Sequence, residues 1–308
     1  MSSFNVIGRL RNALRRFQDS QQLLANGQQA ELRAIRTQMN AGYDDPRHAN
    51  YVNLIDTIFS DGRHADPLFV GRYSASIYSQ IGEDGIIAEI FNRIGRRNRF
   101  FVEIGVEDGS QNTTRFLLEA GWTGVWIEGS RSHADAARKL MQPQIESGQL
   151  KIIHASVTAE NINDLFDQAA VPNEIDYLSI DIDYNTPHVW LALKRQSRVA
   201  CIEYNGHLPS NIAMSVPYDA AGMWDGRTIW FGGSLKTMEN IGTSKDMALV
   251  GCDLSGINSF FVSRNEASGK FREPFTSENH FQRARAHSIL PPPSRVPDHR
   301  PPLWIIAD

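Results

Sequence analysis

Short, nearly continuous apolar runs alternate with stretches of helical spacing through the middle of this 308-residue chain. Phe100, Phe101, Val102, Ile104 and Val106 form the first run, as expected of a strand covered on both faces. Gly105 and Gly109 lie where that strand must stop, and Asn112–Ala120 then shows helical spacing up to Gly121. Gly124–Ile127, Leu150–His154, Tyr177–Ile180 and Val199–Ile202 read as strands two to five. Helices are expected over Ser132–Met141, Asn161–Ala169, His188–Lys194 and Ser234–Ile241, the last with Ser234 as N-cap. Met247–Cys252 and Ile257–Ser263 are close enough in sequence to pair antiparallel. Ahead of the first strand, Ser79 opens a helix to about Ile94 with Ile86, Ile87, Ile90 and Phe91 on its apolar face. This alternation predicts an α/β domain.

The ends of the chain follow other patterns. Ile7, Leu10, Leu14 and Phe17 step by three and four, and so do Leu32, Ile35 and Met39. Leu24, Gln28 and Leu32 make a stutter between them, beside Gly27. Residues 1–42 are read as a helical, coiled-coil-like segment that makes a homo-oligomer. A helix packed on its own domain is a second reading. Peripheral membrane association through Arg9, Arg11, Arg15 and Arg16 is a third. Residues 43–76 are read as a linker, 77–265 as the main domain and 266–308 as a proline-rich tail.

The turn after the first strand carries the first chemical signal. A strand, a glycine turn and a helix expose backbone N–H groups, and glycine lets a ligand come close. Glu128 ends the second strand about 20 residues later, where Rossmann-like folds bind ribose hydroxyls. Glu107 and Asp108 occupy the turn, and two carboxylates repel a pyrophosphate. A cationic ligand without phosphate suits it better. S-adenosylmethionine (SAM) has a sulfonium, an amino acid end and a ribose.

The stretches FVEIGVEDGS and GWTGVWIEGS, with YSQIGEDGI before them and YLSIDID and VACIEYN after them, resemble the FkbM-like group of class I SAM-dependent methyltransferases. The likeness spans roughly residues 77–264. It implies a Rossmann-like fold, with a seven-stranded, mostly parallel sheet and helices on both faces. It also implies that Gln80 lies over the cofactor and that Ser156 contacts the adenine. On this reading Gly105 and Gly109 hold the methionine part, Glu103 sits near its ammonium and Glu128 binds the ribose.

A second constellation lies at the ends of strands four and five. Asp181, Asp183, Glu203 and Asn205 are oxygen donors on neighbouring strands of a doubly wound sheet, and they suit Mg²⁺ or another divalent cation. The alternative is that some of them cap helices or bind backbone. A metal would stabilise an alkoxide formed from a sugar hydroxyl. Asp183, Glu203 and Asn205 are the expected metal ligands, and Asp181 is shared between cofactor and catalysis. His188 and His207 are candidate bases. His188 is preferred because metal-dependent sugar O-methyltransferases, which the arrangement resembles, use a histidine shortly after the strand-four acid. Trp224, Trp230 and Phe231 offer either a sugar-stacking surface or loop core, and Lys236 is a weaker substrate contact.

Composition narrows the setting. A net charge of −4 gives no nucleic-acid footprint. Cys201 and Cys252 have no metal-ligand spacing and read as buried reduced thiols, which suits the cytoplasm. No apolar run is long enough to span a bilayer. The sequence therefore points to a SAM-dependent O-methyltransferase acting on a sugar hydroxyl of a bacterial surface glycan or glycosylated metabolite. A catalytically degenerate SAM-binding module that assembles partners through its N-terminal helix is the alternative. A dinucleotide oxidoreductase is disfavoured by Glu107 and Asp108.

Overall fold

A computed structural model describes residues 60–285 and the short strand Ile305–Ile306. The oligomerisation helices expected over residues 1–42 lie outside the described residues. Seven strands form one sheet: β1 (Phe100–Ile104), β2 (Thr123–Glu128), β3 (Leu150–His154), β4 (Glu174–Ile180), β5 (Gln196–Glu203), β7 (Met247–Cys252) and β8 (Asn258–Ser263). The two-residue β6 (Met214–Ser215) pairs separately with Ile305–Ile306, which is β9. The main sheet runs β3-β2-β1-β4-β5-β8-β7. β1 to β5 are parallel, and β8 lies antiparallel between β5 and β7. That order, with its one reversed strand, is the Rossmann-like class I methyltransferase fold.

The apolar runs became strands because helices cover both faces of the sheet. β7 is buried throughout, and β5 throughout except its first residue. β3, on the edge, is only partly covered. On one face Ile104, Ile127, Leu178 and Ile180 pack under three helices: α5 (Ile162–Gln168), α6 (Thr186–Ala192) and α7 (Leu235–Ser244). On the other, Phe101, Trp126, Tyr177 and Cys201 meet α1 (Glu83–Ile94), α2 (Arg115–Glu119) and α3 (Arg131–Leu140). The remaining helix before β3, α4, is Gln142–Glu146. Cys201 and Cys252 are buried, unpaired thiols.

Two helix starts differ from the sequence expectation, each for a local reason. α1 begins at Glu83 and not at Ser79. The Asp84 carboxylate accepts the N–H groups of Ile77, Tyr78 and Ser79, while Ser79 Oγ accepts the Asp84 N–H at 3.1 Å. Those bonds curl residues 77–82 into a capped loop. α2 begins at Arg115 and not at Asn112, because Thr113 and Thr114 give their N–H groups to Glu103. Ser234 does cap α7, taking the Thr237 N–H at 3.2 Å. Packing also extends past residues 77–265 at both ends. Phe69, Val70, Phe271 and His280 are buried, and Arg93 ties the carbonyls of Pro67, Leu68 and Lys270 together.

Candidate active site

The sheet order reverses between β1 and β4, where a doubly wound sheet opens a crevice beyond its carboxyl ends. A cavity of about 690 Å³ occupies that place. Its walls include Glu103 and Gly105 from β1, Glu128 from β2, Ser156 after β3, Asp181 and Asp183 after β4, and Glu203 and His207 from β5 onward. Gln80 lines it as well, carried there by the loop that Asp84 folds.

Gly105 has φ +82, and a Cβ there would lie 1.7 Å from the Asp181 carbonyl oxygen. Only glycine lets the end of β1 pass that close to β4. Gly109 has a different reason. At φ +76 its Cβ would meet the Trp126 ring at 2.7 Å, and Gly109 is not on the cavity wall. Glycine at 109 thus leaves room for that indole, and the residue lies outside the cavity in which a cofactor contact was expected of it.

Glu103 reaches the cavity, but its carboxylate is spoken for. It accepts from Asn112 Nδ2 at 2.7 Å, from the Thr113 and Thr114 N–H groups at 2.8 and 3.1 Å, and from both threonine hydroxyls. Burial pushes its pKa up, against those bonds. Glu103 shapes the turn and leaves no lone pair for the expected ammonium. Glu128 is less occupied. One oxygen accepts the Glu107 N–H at 2.8 Å and the other the Ser130 N–H at 2.7 Å. Each retains acceptor capacity, since a carboxylate oxygen can take two donors.

The acidic cluster forms as the strand ends require. One ligand oxygen each from Asp181, Asp183 and Glu203 lies within 4.8 Å of the others. Burial, then the Asp183 charge, lifts Asp181 to about 8. Glu203 is pushed well above its usual range by burial and then by Asp181. Three carboxylates so close do not all ionise unless a cation joins them. Glu203 also accepts the Asp183 N–H at 2.8 Å and the Thr186 hydroxyl at 3.1 Å, which ties β5 to the turn after β4.

Two expected site residues work elsewhere. Asn205 is fully buried and off the cavity wall. Its Nδ2 donates to the Ile229 and Phe231 carbonyls at 2.8 and 3.0 Å, and its Oδ1 accepts the His207 N–H at 3.1 Å. It ties a loop, and it does not reach the cavity where a metal would sit. Asn205→Ala is expected to cost about 1–3 kcal/mol of stability by stranding those buried groups. Thermal unfolding checks this, and divalent-ion binding by the folded fraction should be unchanged. His188 is also off the wall. Its Nε2 donates to the Val216 carbonyl at 2.8 Å, its ring meets Tyr218 edge-on at 5.4 Å, and burial lowers its pKa. Helix α6 turns it toward residues 216–218, so it clamps that loop. His207 is the expected base that does reach the cavity.

Trp224 and Phe231 line the cavity with ring centroids 4.7 Å apart, and Trp224 Nε1 donates to the Thr228 carbonyl. Trp230 and Lys236 do not line it, and Lys236 pairs with Glu239 at 2.9 Å.

Three wall residues were not singled out from the sequence. Glu83 is buried, accepts from Ile81 N–H and Asn258 Nδ2, and is lifted to about 7 by burial and then by Asp253. In sequence it is one of two acids in a helix's first turn, a common surface pattern. Asn112 and Asn185 are buried, and the Oδ1 of each has no hydrogen-bond partner. Nothing in their sequence context marks them.

No family model matches the sequence, and none of the curated proteins matches it. Several solved structures are similar over part of the chain. The N-terminal domain of EvdMO1, crystallised with SAH and D-fucose, is 14% identical over 59% of this chain and 82% of its own, with a TM-score of 0.39. An O-methyltransferase from Bacillus cereus in complex with SAH is 16% identical over 74% of this chain and 97% of its own, with a TM-score of 0.39. The METTL16 MTase domain is 17% identical over 39% of this chain, with a TM-score of 0.30. The match spans 51% of that domain.

Proposed function

We propose that the chain is a SAM-dependent O-methyltransferase acting on a sugar hydroxyl, in a bacterial surface glycan or a glycosylated metabolite. The observation that carries this reading is a juxtaposition. One cavity holds Glu128, with acceptor capacity left, on one side of the switch point and the Asp181–Asp183–Glu203 cluster on the other. Its volume is in the usual range for a cofactor-sized ligand, roughly 300–1,000 Å³.

SAM, when bound, brings an electrophilic methyl group of its own. The chain's part is to hold, orient and deprotonate. Glu128 receives ribose hydroxyls, Ser156 borders the adenine end and Gln80 covers it. Asp181, Asp183 and Glu203 would hold Mg²⁺ or another divalent ion, which supplies charge to stabilise an alkoxide. His207, four residues after Glu203, takes the acceptor proton. Trp224 and Phe231 give the sugar an apolar wall that keeps water from the reacting oxygen.

Calorimetry with SAM, SAH and NAD separates this reading from a dinucleotide enzyme. Mass spectrometry of glycans from cells with and without the protein separates it from a degenerate binding module. Glu128→Gln should keep the fold and weaken SAM binding by about 1–3 kcal/mol, as expected for a charged hydrogen bond lost at a site. Unchanged affinity would remove the ribose from the end of β2.

A further inference from the structure

We infer that the cavity selects its acceptor by charge: the reacting sugar is neutral or cationic and bears no carboxylate, phosphate or sulfate. This rests on the proposed sugar O-methyltransferase reading and narrows its class of substrate. The described residues on the cavity wall include seven carboxylic acids and no lysine or arginine. The wall residues able to carry a positive charge are His133 and His207.

Four of the acids lie at the acceptor end. Asp181, Asp183 and Glu203 form the cluster after β4 and β5. Glu83 comes from α1 and joins them through the sheet. Asn258 stands opposite Glu203 in the β5–β8 ladder, and its Nδ2 donates to Glu83 Oε1 at 2.9 Å. The other Glu83 oxygen accepts the Ile81 N–H at 2.9 Å, so both donors are neutral. A divalent ion on the cluster would offset at most two of the negative charges. Charges of one sign in a low-dielectric cleft focus their field, so an entering group feels acids that it does not touch. Sites for carboxylate or phosphate ordinarily supply a guanidinium or an ammonium, and this wall has neither. Trp224 and Phe231 add aromatic surface, which attracts a cation and not an anion. SAM passes the same filter, because its sulfonium and ammonium outnumber its one carboxylate.

The first test is mass spectrometry of glycans and glycosylated metabolites from cells with and without the protein, which identifies the sugar that gains the methyl group. A neutral or amino sugar is expected. A uronic acid, or a phosphorylated or sulfated sugar, overturns the inference. If no sugar methyl ether depends on the protein, the proposed function itself fails, and the inference with it. The second test isolates charge from shape. The uronic acid of the identified sugar and its uronamide, nearly equal in size, are compared as inhibitors of methyl transfer to that sugar. Purified protein is used with SAM and Mg²⁺ at pH 8, above the value of about 7 to which burial lifts Glu83. The uronate should inhibit at least tenfold more weakly than the uronamide, and a smaller gap overturns the inference. Glu83→Gln removes one charge outside the expected ion ligands and should narrow the gap at least threefold. An unchanged gap removes Glu83 from the filter. If that variant does not fold, the wild-type comparison still decides.

Discussion

Asp183→Ala and Glu203→Gln are each expected to reduce methyl transfer by more than about a hundredfold, the scale of losing one charge-stabilising group at a reacting oxygen. SAM binding should survive in both, because Glu128 and the β1 turn belong to the other half of the sheet. Glutamine is the better substitution at 203. It keeps an oxygen for the Asp183 N–H and the Thr186 hydroxyl, which alanine would strand. The two losses should not add if, as proposed, both residues serve the same ion. Chelation should lower wild-type activity to the level of either variant, and Mg²⁺ should restore the wild type alone. Full activity in excess EDTA would remove the metal and leave His207 as an unaided base.

The fold was legible because the inner strands are covered on both faces, so their burial appears in sequence as nearly unbroken apolar runs. Met247–Cys252 is found at the predicted bounds for that reason. Strand-end acids were legible too, since a doubly wound sheet sends its carboxyl ends to one crevice. Asp181, Asp183, Glu203 and Glu128 all reach it. Side chains beyond a strand end were not legible, because a loop decides where they face. Asn205 looks like a ligand until residues 229–231 are seen to lie against it. His188 looks like a base until the fold is seen to hold it off the cavity wall, against the Val216 carbonyl. Glu103 was placed in the right cavity but given the wrong partner. The donors that saturate it are the threonines ten and eleven residues on, and only the folded turn brings them back.

The carboxylate cluster also makes stability depend on pH in a direction opposite to that of an ordinary salt bridge. Asp181 titrates near its usual value of 3.8 when unfolded and near 8 when folded. Below about pH 4 both states hold the proton and the group favours neither. As pH rises the unfolded chain ionises freely while the folded one resists, so stability falls from about pH 4 until the folded group ionises near pH 8. Glu203 and Glu83 are shifted upward too and act with the same sign. Asp181→Asn removes the largest charge conflict without removing volume. Its melting temperature in EDTA should match wild type near pH 3 and exceed it by about 5 °C or more at pH 9. Even two of the four-odd pH units are worth about 2.7 kcal/mol, and in a domain of this size each kcal/mol moves the midpoint by roughly 2–4 °C. Mg²⁺ should reverse the order at pH 9. An ion binding the folded state raises wild-type stability by mass action, while asparagine offers it one charge fewer. Parallel melting curves for the two proteins from pH 5 to 9 would show that the three carboxylates do not share one electrostatic site.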